Sequence, residues 1–315
     1  MKFFFKNRTV RFVLVLILFI VVTAPIVVLF GPFTNIKRTV VGAINRSRHP
    51  HYITWLYSPA EMEALLGTAS TNRSQDIFAF KAREDTTLKL EKIESNRFVG
   101  YILEIPDPRR IHVATAPNIE EKGETTSNIA KSANAVAAIN AGGFYDPNGT
   151  GTGRLPYGFI IQEGKYVLGD QVGMEEKVDF VGFTKSGNLI AGHYNKAKLA
   201  ELGAMEGITF GPPLIINGEK TITDGDGGWG VGPRTAIGQR KDGSVLLLVI
   251  DGRQPGYSVG ATLADLQNIL YEKGCYIAAN LDGGSSSTLY WNGKVVNKPA
   301  DLLGERMIPT AFVVK

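Results

Sequence analysis

The sequence predicts an α+β protein: a sheet-rich domain with mixed β-sheets, several hairpins and few covering helices, preceded by one transmembrane helix. Three observations carry this. Short apolar runs flank turn pairs at four or more places, only two stretches of the same region keep helical spacing, and one run near the N-terminus holds nineteen residues without a charge. With 315 residues, 44% hydrophobic and 20% charged, the chain can bury a proper core. That excludes wholesale disorder, and a single cysteine excludes a small disulfide scaffold.

The uncharged run is Phe12 to Phe30. At 1.5 Å rise per residue it is long enough for a hydrocarbon core of roughly 30 Å. Lys2, Lys6, Arg8 and Arg11 precede it, so the positive-inside rule keeps residues 1–11 in the cytoplasm and sends the rest outside. Lys37 and Arg38, beyond the span, pull weakly the other way. The alternative is a cleaved signal peptide, for which Thr23-Ala24 followed by Pro25 makes a poor cleavage site. Residues 31–75 read as a stalk: Ser58-Pro59-Ala60-Glu61 is a capping box with Pro at the first helical position, opening a helix that ends at Gly67. The remainder, 76–315, is the domain. The expected location is the cell membrane, single-pass, with that domain extracytoplasmic.

Charge distribution narrows the function. Residues 1–48 hold eight Lys/Arg and no acid, so 49–315 carry 26 bases against 30 acids, a net −4. The basic pI belongs to the N-terminal arm, and no nucleic acid partner is expected. Cys275 cannot form an internal disulfide and reads as a buried thiol.

Within the domain, Glu163-Gly164, Asn217-Gly218, Asp242-Gly243 and Asn292-Gly293 each sit between apolar runs and predict hairpins. One helix is expected near Thr126–Ala137, on its alanines, and another from Leu263 to about Glu272. The latter starts after Thr262 with Asp265 at the capping position, places Leu263, Leu266, Ile269 and Leu270 on one face, and stops at Gly274.

Four Gly-rich segments follow apolar runs and so put polar groups at strand ends, where rigid elements aim them. The first, Ala137 to Gly149, delivers Asn140, either as a ligand-binding amide or as a cap on its own turn. The second, Gly227 to Gly238, carries Arg234, and the third, Val249 to Gln254, carries Asp251 and Arg253. A guanidinium fork beside glycines suits phosphate or carboxylate, although one such Arg is usually a surface ion pair. The fourth, Ala278 to Thr288, delivers Asp282 into Gly283, Gly284, Ser285 and Ser286. Backbone N–H groups in such a turn can form an anion nest, and Asp282 is placed for acid/base work or to orient an Arg.

Other chemistries fall away. There is no nucleotide-binding G-x-x-x-x-G-K-[ST] loop, no H-E-x-x-H and no G-x-S-x-G elbow. Only four histidines exist, two of them in the stalk, which leaves His112 or His193 to line a pocket. Asp224-Gly225-Asp226-Gly227 has the flavour of a calcium loop without the spacing of an EF-hand. A plain turn is the simpler reading, a structural calcium the other. No cofactor is expected to be required.

Taken together, Asn140-Ala141-Gly142-Gly143-Phe144, Arg234-Thr235-Ala236-Ile237-Gly238, Asp251-Gly252-Arg253-Gln254, Ser258-x-Gly260, Asn280-Leu281-Asp282-Gly283-Gly284-Ser285-Ser286 and Arg306-Met307-Ile308-Pro309 resemble, in order and spacing, the phosphodiester glycosidase family. The family often has a third glycine where Ser285 stands. The resemblance implies hydrolysis of a sugar-1-phosphate diester at the anomeric C–O bond, with a sugar-phosphate or anionic glycan of the bacterial envelope or exopolysaccharide as substrate. For that reaction the chemistry of the residues favours Asp282 as catalytic carboxylate, with Asp251 as second choice and Asn140 on sugar hydroxyls or water, roles that can be exchanged within the set. Arg234 and the Gly283–Ser286 nest would hold phosphate, with Arg253 or Arg306 assisting. The rival is a non-catalytic envelope protein that binds anionic polysaccharide.

Overall fold

The computed structural model describes residues 8–45, 50–66, 75–81, 83–146, 151–168 and 172–315. The flank Lys2 and Lys6, Gly67, and the Pro147–Gly149 tail of the first Gly-rich segment lie outside them. The chain forms two compact units, residues 1–67 with 228–230, and residues 68–227 with 231–315.

In the first unit, α1 (Arg8–Phe30) contains the whole apolar run, and it is a helix long and apolar enough to cross a membrane. It is followed by α2 (Thr34–Asn45), α3 (His51–Thr54) and α4 (Pro59–Leu66). The capping box of α4 forms: the Ser58 N–H and hydroxyl donate to Glu61 Oε2 at 2.8 and 2.7 Å, and the Glu61 N–H returns to Ser58 Oγ at 3.3 Å. Val41, Ile53 and Leu66 are buried together, so α2, α3 and α4 each contribute to one small core. Gly42 takes part, since a Cβ there would lie 2.6 Å from the Gly228 carbonyl oxygen.

The second unit holds three sheets. A seven-stranded sheet runs in the order β1 (Lys89–Glu94), β2 (Val99–Ile105), β13 (Val245–Ile250), β12 (Arg234–Arg240), β14 (Cys275–Leu281), β10 (Pro213–Ile216), β11 (Glu219–Lys220). A five-stranded sheet runs β16 (Lys294–Val295), β15 (Leu289–Trp291), β4 (Ala137–Asn140), β17 (Thr310–Val314), β3 (Ile111–Thr115). The third runs β6 (Lys165–Leu168), β5 (Ile160–Gln162), β9 (Ala204–Thr209), β7 (Val178–Thr184), β8 (Leu189–Tyr194). All four expected hairpins form, as β5–β6, β10–β11, β12–β13 and β15–β16. The x-Gly turns at Glu163, Asn217 and Asn292 hold both central residues at positive φ, which is what a two-residue hairpin loop demands. Where the sequence suggests mixed sheets, every strand pairing among the described residues is antiparallel, because hairpins and long returns, not helical crossovers, connect the strands.

The helices are few: α5 (Thr126–Ser132), α6 (Lys196–Glu201) and α7 (Leu263–Glu272). α7 has the expected bounds and capping box, with Leu263, Leu266 and Leu270 buried; Gln267 joins them, with Ile269 at the margin. Burial of Gln267 is satisfied, since its amide bonds the Thr221 and Ile222 N–H groups and the Ile222 carbonyl. α5 is shorter than its alanines suggest. It ends at Ser132, Asn134 turns into the left-handed region at φ 51°, and Ala137 begins β4, where its methyl fits a fully buried strand.

One core joins the three sheets: Leu103, Leu247, Val249, Ile237 and Leu281 from the first, Ile139, Phe312 and Val314 from the second, Ile160, Val181, Phe183 and Ile208 from the third. Period-2 alternation sends Phe159, Ile161, Phe180 and Ile190 to the other face of the third sheet, against Leu199 of α6. Cys275 is buried, and burial pushes its thiol up to about 12, so it is inert. Where β7 meets β9 the approach is tight: a Cβ on Gly182 would stand 2.0 Å from the Glu206 carbonyl oxygen. Gly182→Ala is therefore expected to cost about 3 kcal/mol, read as a lowered Tm. Gly173→Ala, whose nearest contact would be 4.0 Å away, should leave Tm unchanged.

Candidate active site

Strand register assembles the site. β12 pairs with β14 so that Thr235 faces Leu281, and with β13 so that Arg234 faces Ile250. The residues at the ends of three adjacent strands, Arg234, Asp251 and Asp282, therefore emerge at one end of the seven-stranded sheet. The next sheet is strapped to the same place by Asn140. Its Nδ2 donates to the Asp282 carbonyl at 2.5 Å, and its Oδ1 accepts from Thr235 Oγ1 at 2.8 Å and the Thr288 N–H at 3.1 Å. The Asp282 N–H completes the join by donating to the Ala141 carbonyl at 2.9 Å. Asn140 is fully buried, so its amide fixes the main chain around Asp282.

After Asp282 the chain makes one 3₁₀ turn, Gly284–Ser286. The N–H groups of Gly284, Ser286 and Ser287 are spent on the carbonyls of Pro233, Gly283 and Gly284. The turn thus works less as an open nest than as a floor on which guanidinium groups lie. A Cβ on Gly283 would be 3.6 Å from Arg234 Nη1, and one on Gly284 would be 3.3 Å from Arg253 Nη2. Gly284 also needs its freedom, standing at φ 63°.

Arg234 is 6% exposed and donates from Nε to the Ala261 carbonyl at 3.1 Å. Burial, with Arg253 nearby, lowers its pKa to about 10, which still leaves it charged at neutral pH. Arg253 is exposed and sits at φ 59° in a loop closed by Gln254 and Ser258. Arg306 reaches in from the chain before β17: it pairs with Asp146 at 2.9 Å and lies over the Phe144 ring at 4.8 Å.

The Asp282 carboxyl is raised to about 6, because burial outweighs the Ser286 hydroxyl, the Gly283 N–H and the charges of Arg306 and Arg253, all of which favour the ionised form. Burial and cations thus act on this carboxyl in opposite senses. Asp251 is in a different situation. It is 1% exposed, and its oxygens accept from Asn297 Nδ2 at 2.9 Å, the Lys298 N–H at 3.0 Å and the Tyr257 hydroxyl at 3.0 Å. Burial raises it too, but every bond it makes braces the loop that carries Arg253.

Several contributors had no signal in the sequence. Tyr157 donates its N–H to the Gly143 carbonyl at 3.1 Å and rests its ring edge where a Gly143 side chain would be. Burial and the charges of Asp282 and Asp146 raise its hydroxyl, so it stays a donor. Asp146, Tyr257 and Asn297 stand outside any periodic pattern, and only the fold shows what they hold. His112 lines a cavity of about 460 Å³ with Glu206 and Gln162, to which none of the site residues contributes. His193 pairs with Asp179 at 3.2 Å. No cluster of three or more His, Cys, Asp or Glu suited to a metal occurs among the described residues.

Residues 133–315, more than half of the chain and all of the site, match the family model for phosphodiester glycosidase. The chain belongs to the phosphodiester glycosidase family. It is 31% identical over 197 residues to an uncharacterized SPbeta prophage-derived protein of Bacillus subtilis (strain 168), covering 60% of this chain and 29% of that one. It is 23% identical over 233 residues to the N-acetylglucosamine-1-phosphodiester alpha-N-acetylglucosaminidase of Bos taurus, covering 66% and 42%. The chain thus spans less than half the length of these relatives. The catalytic domain of the zebrafish N-acetylglucosamine-1-phosphodiester alpha-N-acetylglucosaminidase shares the fold, with TM-score 0.61 and 24% identity over 76% of this chain and 87% of that one.

Asn297 is the test of how the phosphodiester glycosidase loops are braced, for it also accepts the Leu289 N–H at 2.8 Å and donates to the Ser287 carbonyl at 3.0 Å. Asn297→Ala strands these buried groups and is expected to cost about 2–4 kcal/mol, measured by denaturant unfolding.

Proposed function

We propose that this phosphodiester glycosidase is a membrane-anchored, extracytoplasmic hydrolase that cleaves the glycosidic bond of sugar-1-phosphate diesters in cell-envelope or exopolysaccharide glycans. The observation that carries the reading is the meeting of Arg234, buried and charged, and Arg253 over the Gly283-Gly284 turn, beside an Asp282 carboxyl poised near 6. Two guanidinium forks suit the two free oxygens of a phosphodiester. The apolar α1 and its basic flank support the anchor and the orientation.

In the proposed reaction the C1–O bond breaks and its electron pair leaves with the phosphomonoester. Charge therefore grows on phosphate, where Arg234 and Arg253 neutralise it, with Arg306 alongside. Such a leaving group needs little protonation, so the larger demand is at the sugar, where an oxocarbenium-like centre develops. Ionised Asp282 stabilises that centre and accepts the proton of the water that adds to C1. Tyr157 borders the sugar position. Asn140 and Asp251 are positioning residues here, the first holding the main chain of Asp282 and the second the loop of Arg253. No cofactor enters the scheme.

Ionised Asp282 as the working form sets a pH profile: kcat/KM for a sugar-1-phosphate diester should climb through an apparent pKa near 6 and level off above it. Stability should run the other way. The folded-state pKa lies above the ordinary 3.8, so the folded state holds the extra proton, and stability declines as pH rises from about 4 to about 6. Asp282→Asn is thus expected to lose about 10²–10⁴-fold in hydrolysis while gaining about 1–3 kcal/mol at pH 7, seen as a raised Tm. Retained turnover would remove Asp282 from the mechanism. Wild-type protein that binds anionic glycan and hydrolyses no diester in a broad panel would establish the binding-protein reading instead.

Arg234→Lys tests the phosphate site. A lysine keeps the charge but loses the planar fork, and the burial that lowers the arginine would bring an ammonium toward neutrality. The expected result is a loss of at least about 10²-fold in kcat/KM with the fold intact by circular dichroism.

A further inference from the structure

The chain that carries Arg306 first makes a tight turn, Asp301 to Gly304, in which the Gly304 N–H bonds the Asp301 carbonyl at 3.1 Å and the Leu303 N–H bonds its carboxylate at 3.1 Å. At the tip Leu302 and Leu303 are 102% and 96% exposed, and Met307 just beyond is exposed as well. Scattered exposed apolar residues are ordinary, but two adjacent leucines held wholly in solvent by a bonded turn are not. The base of the turn is fixed on both sides. Glu305 caps α5 by accepting the Ser127 N–H at 2.9 Å and the Ser127 hydroxyl, and Arg306 is paired with Asp146 at 2.9 Å. Gly153 packs against the Met307 main chain, 2.4 Å from where a Cβ would sit. The same neighbouring loop presents Tyr145, Leu155 and Tyr157 to solvent.

We propose that the Leu302–Leu303 tip inserts into a lipid bilayer surface, so that the site beside it takes sugar-1-phosphate diesters whose other half is a lipid embedded in that bilayer. The substrate half of this rests on the hydrolase reading above; the insertion does not. A convex finger offers no groove to hold a single alkyl chain in water, whereas it fits the acyl boundary of a membrane. The net charge of −4 over residues 49–315 gives the domain no general attraction to an anionic surface, and the contact invoked is the apolar one. The same chain carries α1, a helix apolar enough to hold it at a bilayer. Arg306, paired with Asp146, follows Leu303 by only three residues, so the tip lies next to the site in the chain.

The test uses the full chain in neutral phosphatidylcholine nanodiscs, with Leu303→Cys carrying an environment-sensitive dye and Lys185→Cys, on the exposed β7–β8 turn, as control. The buried Cys275 does not compete for label. The expected result is a blue-shifted emission at 303, unchanged by salt, quenched by nitroxide lipid and not by iodide, with the reverse at 185. A water-like label at 303, or a shift that follows protein concentration without lipid and so reports a second copy of the chain, overturns the proposal. In parallel, the double variant Leu302→Ser/Leu303→Ser should lower the ratio of kcat/KM for a diacylglycerol-linked over a methyl-linked sugar-1-phosphate diester by about tenfold or more. An unchanged ratio overturns the substrate half. If wild-type protein hydrolyses neither diester, the hydrolase reading falls and the substrate half with it, while the dye still decides insertion.

Discussion

The site depends on one register. Because β12 lies between β13 and β14, the pairs Arg234–Ile250 and Thr235–Leu281 bring three strand ends level. A slip of one residue in either pairing would turn Arg234 to the opposite face of the sheet and take Asp282 out of its reach. That register is pinned from one face by the buried side chains Ile237, Leu247, Val249 and Leu281, and by Asn140, whose amide bonds Asp282 after β14, Thr235 of β12 and Thr288 before β15. The hydrophobic core and the polar site are in this sense a single construction.

The site is also costly to fold. A guanidinium at 6% exposure and a carboxyl lifted toward 6 are each disfavoured by burial, and each sits beside a group of the sign that would relieve it. In the proposed reaction a negative phosphate next to a cationic ring centre would complement both, the way preorganised electrostatics lower a barrier. Asp251 shows the contrast. It is equally buried, but its oxygens are taken up by Asn297, Lys298 and Tyr257, and its energy is invested in holding a loop still.

Local chemistry was legible in the sequence and long-range chemistry was not. Two-residue turns such as Asn217-Gly218 and the capping box at Thr262 are decided within four residues, and they stand where the pattern puts them. Arg234 and Asp282 stood out because glycine-rich strand ends aim polar groups at one place, whereas Arg306 was named only through the family resemblance. The limits have equally local causes. The run Ala135–Ala138 favours helix by propensity, but a fully buried slot between β15 and β17 claims Ala137 and Ala138 for strand. Asn140 and Asp251 looked like ligand contacts because an amide or a carboxylate at a strand end has the same sequence signature whether it faces a substrate or a neighbouring loop. Tyr157 was invisible, since only the fold lays it against Gly143.

The position of β17 has a bearing on how the molecule is made. This strand lies between β4 and β3, and its partners Ile111 and Val314 stand about two hundred residues apart. β3 therefore has no neighbour on that side until the whole intervening stretch has been synthesised, and the loop-closure entropy of so distant a pairing makes the closing step slow. Until then the core that Phe312 completes against Phe183 stays open. The sheet that carries Asn140 is therefore complete only when the last strand of the chain slots between β4 and β3.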